Sequence, residues 1–67
     1  MKKEKLLNAA LSHFEAERSV ARANLDVYLE SAMAIGDHPN IVEEVMKLIK
    51  KIANAEECIK VTKEERK

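Results

Sequence analysis

The sequence predicts an all-α fold, an antiparallel two-helix hairpin that assembles into a homo-oligomeric helical bundle. Apolar residues recur at helical spacing through two long segments, about 6–35 and 40–61. The only glycine and the only proline of the chain fall between these segments. A chain of 67 residues with one cysteine also rarely buries enough apolar surface alone, which favours association of copies. Residues 1–67 are therefore predicted to form a single helical-hairpin domain.

The first predicted helix covers residues 6–35. Alternate steps of four and three residues keep side chains on one side of a helix. A strand is excluded because Glu15, Glu17 and Arg18 interrupt any period of two. Residues 1–5 are charged and are expected to fray. The core-facing stripe consists of Leu7, Leu11, Phe14, Arg18, Ala21, Leu25, Tyr28, Ala32 and Ile35.

A second stripe, here called the outer stripe, runs along the opposite side of the first helix. Its side chains are small or β-branched, so another helix could approach closely. Alternatively, alanine fills exposed helical surfaces because it is the best helix former. Val20 and Val27 favour a contact surface, since a β-branched residue gains nothing at an exposed helical position. The outer stripe consists of Ala9, His13, Ala16, Val20, Ala23, Val27, Ser31 and Ala34.

The segment between the helices contains residues typical of a helix C-terminus followed by residues typical of a helix N-terminus. Gly36 falls where a helix ends in a left-handed residue, and Asp37 and His38 follow it. Asn40, with Glu43 three residues later, resembles a capping box. Alternatively, Asp37 or His38 caps the second helix and Pro39 takes its first position. The predicted turn consists of Gly36, Asp37, His38, Pro39 and Asn40.

The second predicted helix covers residues 40–61, and residues 62–67 are expected to fray. Its apolar arc spans about half of the helix circumference at ~100° per residue. A wide arc favours two neighbours, one in the same chain and one elsewhere. Ile49 therefore joins the outer stripe in the candidate oligomer interface. The arc consists of Ile41, Val45, Leu48, Ile52, Ala55 and Ile59, flanked by Val42, Met46, Ile49 and Ala53.

In an antiparallel hairpin, positions whose numbers sum to roughly 75 lie level with each other. This register sets Arg18, which interrupts the first stripe, level with Glu56, which is expected to lie inside the apolar arc of the second helix. A desolvated charge is costly unless it is paired, so the two residues are predicted to form a partly buried ion pair that fixes register. The pair forms within one chain or between chains. The alternative is that both side chains reach solvent from the edge of the core.

Composition argues against several classes of function. Twelve basic and twelve acidic residues give zero net charge, which disfavours both nucleic-acid binding and a polybasic membrane-surface helix. No apolar run approaches the roughly 20 residues that span a bilayer, and the first residues do not form a secretory signal. The lone Cys58 suits a reducing compartment, so a cytoplasmic location is expected.

The residues show no pattern of catalytic or metal chemistry. His13 and His38 are too far apart to share a ligand, and no cluster has metal-ligand spacing. Cys58 fits a small hydrophobe at an interface better than a reactive thiol. No catalytic residue, cofactor or metal ion is predicted. An active site would have to lie between subunits, and the candidate residues for it are Glu17, Arg18, Arg22 and Glu56.

Three segments carry a resemblance to a known group of proteins. They are Ala23–Leu29, Ala34–Glu43 and Ile52–Glu57, a little over half of the chain. Together they resemble small uncharacterised proteins of T4-like marine tailed phages, which share an "IG-acid-HP" turn. Where those proteins often have Asn-Pro before the turn, this chain has residues 31–34 without proline. The resemblance implies a helical hairpin and a phage-encoded origin, and it implies no activity.

The function expected from these patterns is that of a structural or protein-interaction module. The predicted unit is a homodimer that forms an antiparallel four-helix bundle, with a tetramer as the next alternative. A different class is a small regulator that docks on a host or phage protein. Nucleic acid is a further partner for such a regulator, through a basic face of Lys47, Lys50, Lys51 and Lys60.

Overall fold

The computed structural model describes residues 2–35 and 39–67, and its side chains are described for residues 2–30 and 40–67. Two helices make up this part of the chain, α1 (Lys2–Ile35) and α2 (Pro39–Arg66). No strand occurs in the described ranges, so the predicted all-α class is confirmed. The predicted turn residues Gly36, Asp37 and His38 lie outside the described residues. The same holds for the side chains at positions 31–35, where both stripes of α1 end.

The two helices lie side by side and antiparallel. A hydrogen bond of 2.9 Å from Arg66 Nη1 to Asn8 Oδ1 joins the far ends of the chain. The molecule is a rod of 52 × 13 × 13 Å, in keeping with a 34-residue helix at ~1.5 Å per residue. Asn8 and Arg66 have numbers that sum to about 74, which agrees with the register predicted from the sequence.

The core forms along the line where the two helices meet. The core-facing stripe of α1 supplies Leu11, Ala21 and Leu25 to it, all buried. Tyr28 and Val45 pack at the turn end of the cluster that Ala21 and Leu25 form with Leu48 and Ile52. The predicted core-facing stripe is therefore confirmed over the described side chains. The buried residues of α2 are Leu48, Ile52, Ala55, Ile59 and Thr62.

Both helices extend further than the sequence analysis expected. Residues 2–5 continue α1, and residues 62–66 continue α2, although both segments were expected to fray. Thr62 explains the second extension, because it occupies the next inward position after Ile59 and is buried. Its hydroxyl donates a 2.7 Å hydrogen bond to the Cys58 carbonyl one turn earlier. A buried hydroxyl with a partner costs little, so the core continues past Ile59.

The start of α2 distinguishes between the two capping alternatives. The helix begins at Pro39, so Asn40 lies inside it rather than at its cap. Proline is favoured at the first helical position because the amide hydrogen that it lacks would have no helical partner there. The structure thus agrees with the alternative that places Pro39 first.

Candidate functional site

The outer stripe of α1 is exposed along its described length. Val20 and Val27 are 61% and 62% exposed, and both lie on the side of α1 away from Leu25 in the core. The two valines are seven residues apart, so they share one line along the helix. The other described members of the outer stripe are exposed too; they are Ala9, His13, Ala16 and Ala23.

A shallow groove runs between this stripe and α2. It has a volume of about 390 Å³ and opens on the flank of the hairpin that carries Val20. Apolar side chains form its floor, where Ala21 and Leu48 belong to the core. Polar side chains form its rims, so the groove is amphipathic. The residues that line it are His13, Ala16, Glu17, Val20, Ala21, Asn24, Leu48, Lys51 and Asn54.

One rim of the groove carries a close contact between two exposed polar side chains. His13 Nε2 lies 3.3 Å from Glu17 Oε2, four residues along α1. The side chains are 70% and 51% exposed, so water screens the interaction. His13 therefore lies at the edge of an exposed surface.

Sequence reasoning did not identify the α2 side of this groove. Lys51 and Asn54 lie there, opposite Asn24 and Val20 respectively. The helix register could have identified these residues, because the residue numbers of each pair sum to about 74 or 75. A polar residue level with the outer stripe was thus predictable once the two helices were set side by side.

The structure separates Ile49 from the outer stripe. Ile49 precedes the groove residue Lys51 by two positions, which puts the two side chains about 160° apart around α2. Leu48 and Ile52 face α1 between these two directions. Ile49, 51% exposed, therefore lies on the opposite flank of the hairpin from Val20. The candidate interface predicted from the sequence comprises two surfaces rather than one.

Arg18 and Glu56 are not joined within the chain. Across the described side chains, the ion pairs within 4.0 Å are His13–Glu17 and Lys47–Glu44. Glu56 is exposed rather than inside the apolar arc, and Arg18 is half-buried. No buried side-chain nitrogen or oxygen of the described residues lacks a hydrogen-bond partner, so the Arg18 guanidinium reaches solvent. This arrangement matches the alternative in which the stem packs and the charge is solvated.

The described residues contain no group of three histidine, cysteine, aspartate or glutamate side chains placed to hold a metal ion. Cys58 is a half-buried free thiol. Neither helix, over its described length, carries an apolar stretch long enough to cross a membrane. The surface features of the described chain are therefore two apolar flanks and an amphipathic groove.

Comparison of the chain with protein-family models, with curated proteins and with solved structures gives no match.

Proposed function

We propose that the chain is a structural, protein-interaction module that associates with itself through the outer stripe of α1. The unit is a homodimer in which two hairpins form an antiparallel four-helix bundle. The observation that carries the proposal is the exposure of Val20 and Val27, 61% and 62%, on one line along α1 that borders the groove. In the single chain these two β-branched side chains stabilise neither the helix, for which valine has a low propensity, nor the core, which they do not contact.

The composition of the outer stripe supports a helix as its partner. Alanines at positions 9, 16 and 23 surround the two valines, and all three are exposed. Small side chains let the axes of two helices approach closely, and the larger valines then pack between the residues of the facing helix. A flat apolar stripe of this kind suits another helix better than a small molecule, which needs a concave site.

The groove beside Val20 supports the same arrangement. In a bundle, each knob of one helix enters a hole formed by residues of its neighbours. The groove is such a hole, because Ala16 and Ala21 are small and Leu48 forms its floor. A valine from the outer stripe of a second copy would fill it. The rim residues Lys51 and Asn54 would then lie at the wet edge of the interface, where polar groups are expected.

The amount of apolar surface left open by one chain supports association in general. Among the described residues, eight large hydrophobic side chains are 46% or more exposed. Chains of this size seldom reach adequate stability on their own core without a disulfide, metal or partner subunit. The eight are Leu6, Val20, Val27, Leu29, Val42, Met46, Ile49 and Val61.

Sedimentation velocity of the full chain tests the proposal, with a lysine replacing both valines in the variant Val20→Lys/Val27→Lys. The variant should have half the mass of the wild type and keep its helical circular dichroism, since both positions are exposed. Val42→Lys is the matched control, because Val42 is 64% exposed and, seven positions before Ile49, lies on the flank opposite the groove. A wild-type chain that is a folded, cooperative monomer of 7.6 kDa at micromolar concentration overturns the proposal.

A folded monomer would instead favour the second class of function, a regulator that docks on a different protein. Nucleic acid is a weaker candidate partner, because Lys47 of the basic face lies 3.4 Å from Glu44 and its charge is already compensated. A gel shift at low salt tests this directly, and a null result excludes binding through phosphate neutralisation.

The setting that we propose for this module is the cytoplasm, that of the host if the chain is phage-encoded. The support is the lone cysteine, which suits a reducing compartment, together with the resemblance of residues 23–57 to phage proteins. Expression of the chain from its genome during infection, with the product recovered from the cytoplasmic fraction, tests both points.

A further inference from the structure

Charge is distributed unevenly along the hairpin. Residues 2–15 and 60–67, at the end where α1 begins and α2 ends, contain seven basic and four acidic side chains. Residues 26–30 and 40–49, at the other end, contain one basic and four acidic side chains. The hairpin is therefore basic at one end and acidic at the other, although the net charge of the chain is zero.

Two hairpins that pair through the groove side can point the same way or opposite ways. Exposed charges interact over about 10 Å at 0.1 M salt. That distance is short beside the 52 Å length of the rod, so each charged end interacts mainly with the end that lies level with it. Hairpins that point the same way bring like ends together. Hairpins that point opposite ways bring each basic end to an acidic end, so charge favours this orientation.

We propose that the two hairpins of the dimer point in opposite directions, with a two-fold axis beside Cys58 that sets Lys51 of each copy against Glu65 of the other. This inference rests on the proposed function, because its premise is the homodimer formed through the outer stripe. It adds the orientation of the two copies and the register in which they meet.

One line of residues along α2 carries this register. Lys51, Cys58 and Glu65 are each seven residues apart, and Lys51 lines the groove, so the line follows the groove side of α2. In a two-fold contact between antiparallel helices, residues at equal distances on either side of the axis face each other. An axis beside Cys58 therefore pairs Lys51 with Glu65 twice. Across the described side chains, neither residue forms an ion pair within its own chain.

The same axis suits the groove side of α1. Position 58 is level with positions 16 and 17, because the residue numbers of level positions sum to about 74 or 75. An axis between positions 16 and 17 sets Val20 against His13 of the other copy, and Val27 against Leu6 at the outer limit of the contact. Ala16 is small, so the two α1 helices can approach closely at the axis. The apolar residues of α1 and the charges of α2 thus share one axis.

Glu17 also lies beside this axis, close to its equivalent in the other copy. Its carboxylate lies 3.3 Å from His13 Nε2, and its side chain is half exposed. Water and the imidazole limit the repulsion between the two carboxylates without removing it. Replacing the carboxylate by an amide in Glu17→Gln should therefore tighten the dimer about threefold, and a weaker dimer would contradict the axis.

Exchanging charges between separate chains tests the register. Lys51→Glu and Glu65→Lys should each weaken dimerisation about tenfold, because each sets like charges together in both pairs. An equimolar mixture of the two variants should associate as tightly as the wild type, since both pairs of the heterodimer are again of opposite charge. Sedimentation velocity measures all three. Lys50→Glu and Glu64→Lys are the matched controls, because these positions are exposed and outside the line.

The native cysteine provides a second measurement of the same register. Cys58 should face its equivalent across the axis, so mild oxidation of the dimer should link the two chains by a disulfide. Hairpins that point the same way set the two α2 helices diagonally across the bundle, about 14 Å apart, whereas a disulfide needs Cα atoms within about 7 Å. Non-reducing electrophoresis reads out the link. Cys58→Ser and the relocated thiol of Cys58→Ser/Lys50→Cys are the controls.

The outcomes separate this inference from the proposed function. A dimer that Val20→Lys/Val27→Lys dissociates, but whose charge variants do not recover on mixing, overturns the register and leaves the proposed function in place. A dimer that forms no Cys58 disulfide overturns the axis in the same way. A wild-type monomer overturns both. Recovery on mixing together with the disulfide supports both.

Discussion

The Arg66 guanidinium donates a 2.9 Å hydrogen bond to the side-chain carbonyl of Asn8, across 58 positions of sequence. This contact places the first turns of α1 beside the last turn of α2. It shows that the two helices run together to their ends, although both ends are strongly charged. It also gives the register directly, because antiparallel neighbours keep a constant sum of residue numbers along the hairpin.

The Asn8–Arg66 contact should add little to global stability, because both side chains are exposed. Asn8→Ala and Arg66→Ala should each lower the free energy of unfolding by about 0.5 kcal/mol. Urea unfolding followed by circular dichroism measures the change, and Lys67→Ala at the neighbouring exposed position is the control. A loss above about 2 kcal/mol would contradict the view that the core, rather than this contact, holds the chain ends together.

Stability should depend on the core-facing stripe and not on exposed leucines of the same helix. Leu25 is 5% exposed, so Leu25→Ala should cost about 2–5 kcal/mol through lost burial and a residual cavity. Leu6 is 71% exposed, and the same change there should cost less than about 1 kcal/mol. Thermal and urea unfolding of the two variants compare them directly. Equal losses would contradict the observed core.

Thr62 should determine how far α2 extends. Thr62→Asp places a charge at a buried position and should remove amide protection from residues 62–66, as measured by hydrogen exchange. Val61→Asp is the matched control, because it introduces the same side chain one position away at an exposed site. Exchange of residues 62–66 at random-coil rates in the wild type would instead indicate the frayed end expected from the sequence.

Arg18 and Glu56 should be energetically independent in the single chain. Arg18→Met keeps a similar stem and removes the charge, so it should change the free energy of unfolding by less than about 1 kcal/mol or increase it. A double-mutant cycle with Glu56→Gln should give a coupling energy below about 0.3 kcal/mol. A coupling above about 1 kcal/mol, appearing only where the chain associates, would indicate a pair between copies.

Helical spacing alone was sufficient to predict the elements and the inner face of the hairpin. Leu11, Ala21 and Leu25 are buried as the repeat requires, because alternate steps of four and three place side chains on one side of any α-helix. The position of Pro39 indicated where α2 begins, since proline acts through local backbone geometry. Local rules of this kind operate before any tertiary contact forms.

Tertiary structure decided the features that depend on the distance and rotation between the helices. From the sequence, Thr62 looks like the first polar residue after the end of α2. In the structure it is buried, and its hydroxyl donates a hydrogen bond to the Cys58 carbonyl. Glu56 and Ile49 both fell within a wide apolar arc, yet both are exposed on the flank away from the groove. A periodic pattern specifies which residues share a face of a helix. Whether that face is buried or exposed depends on how the neighbouring helix packs against it, so only the tertiary structure determines it.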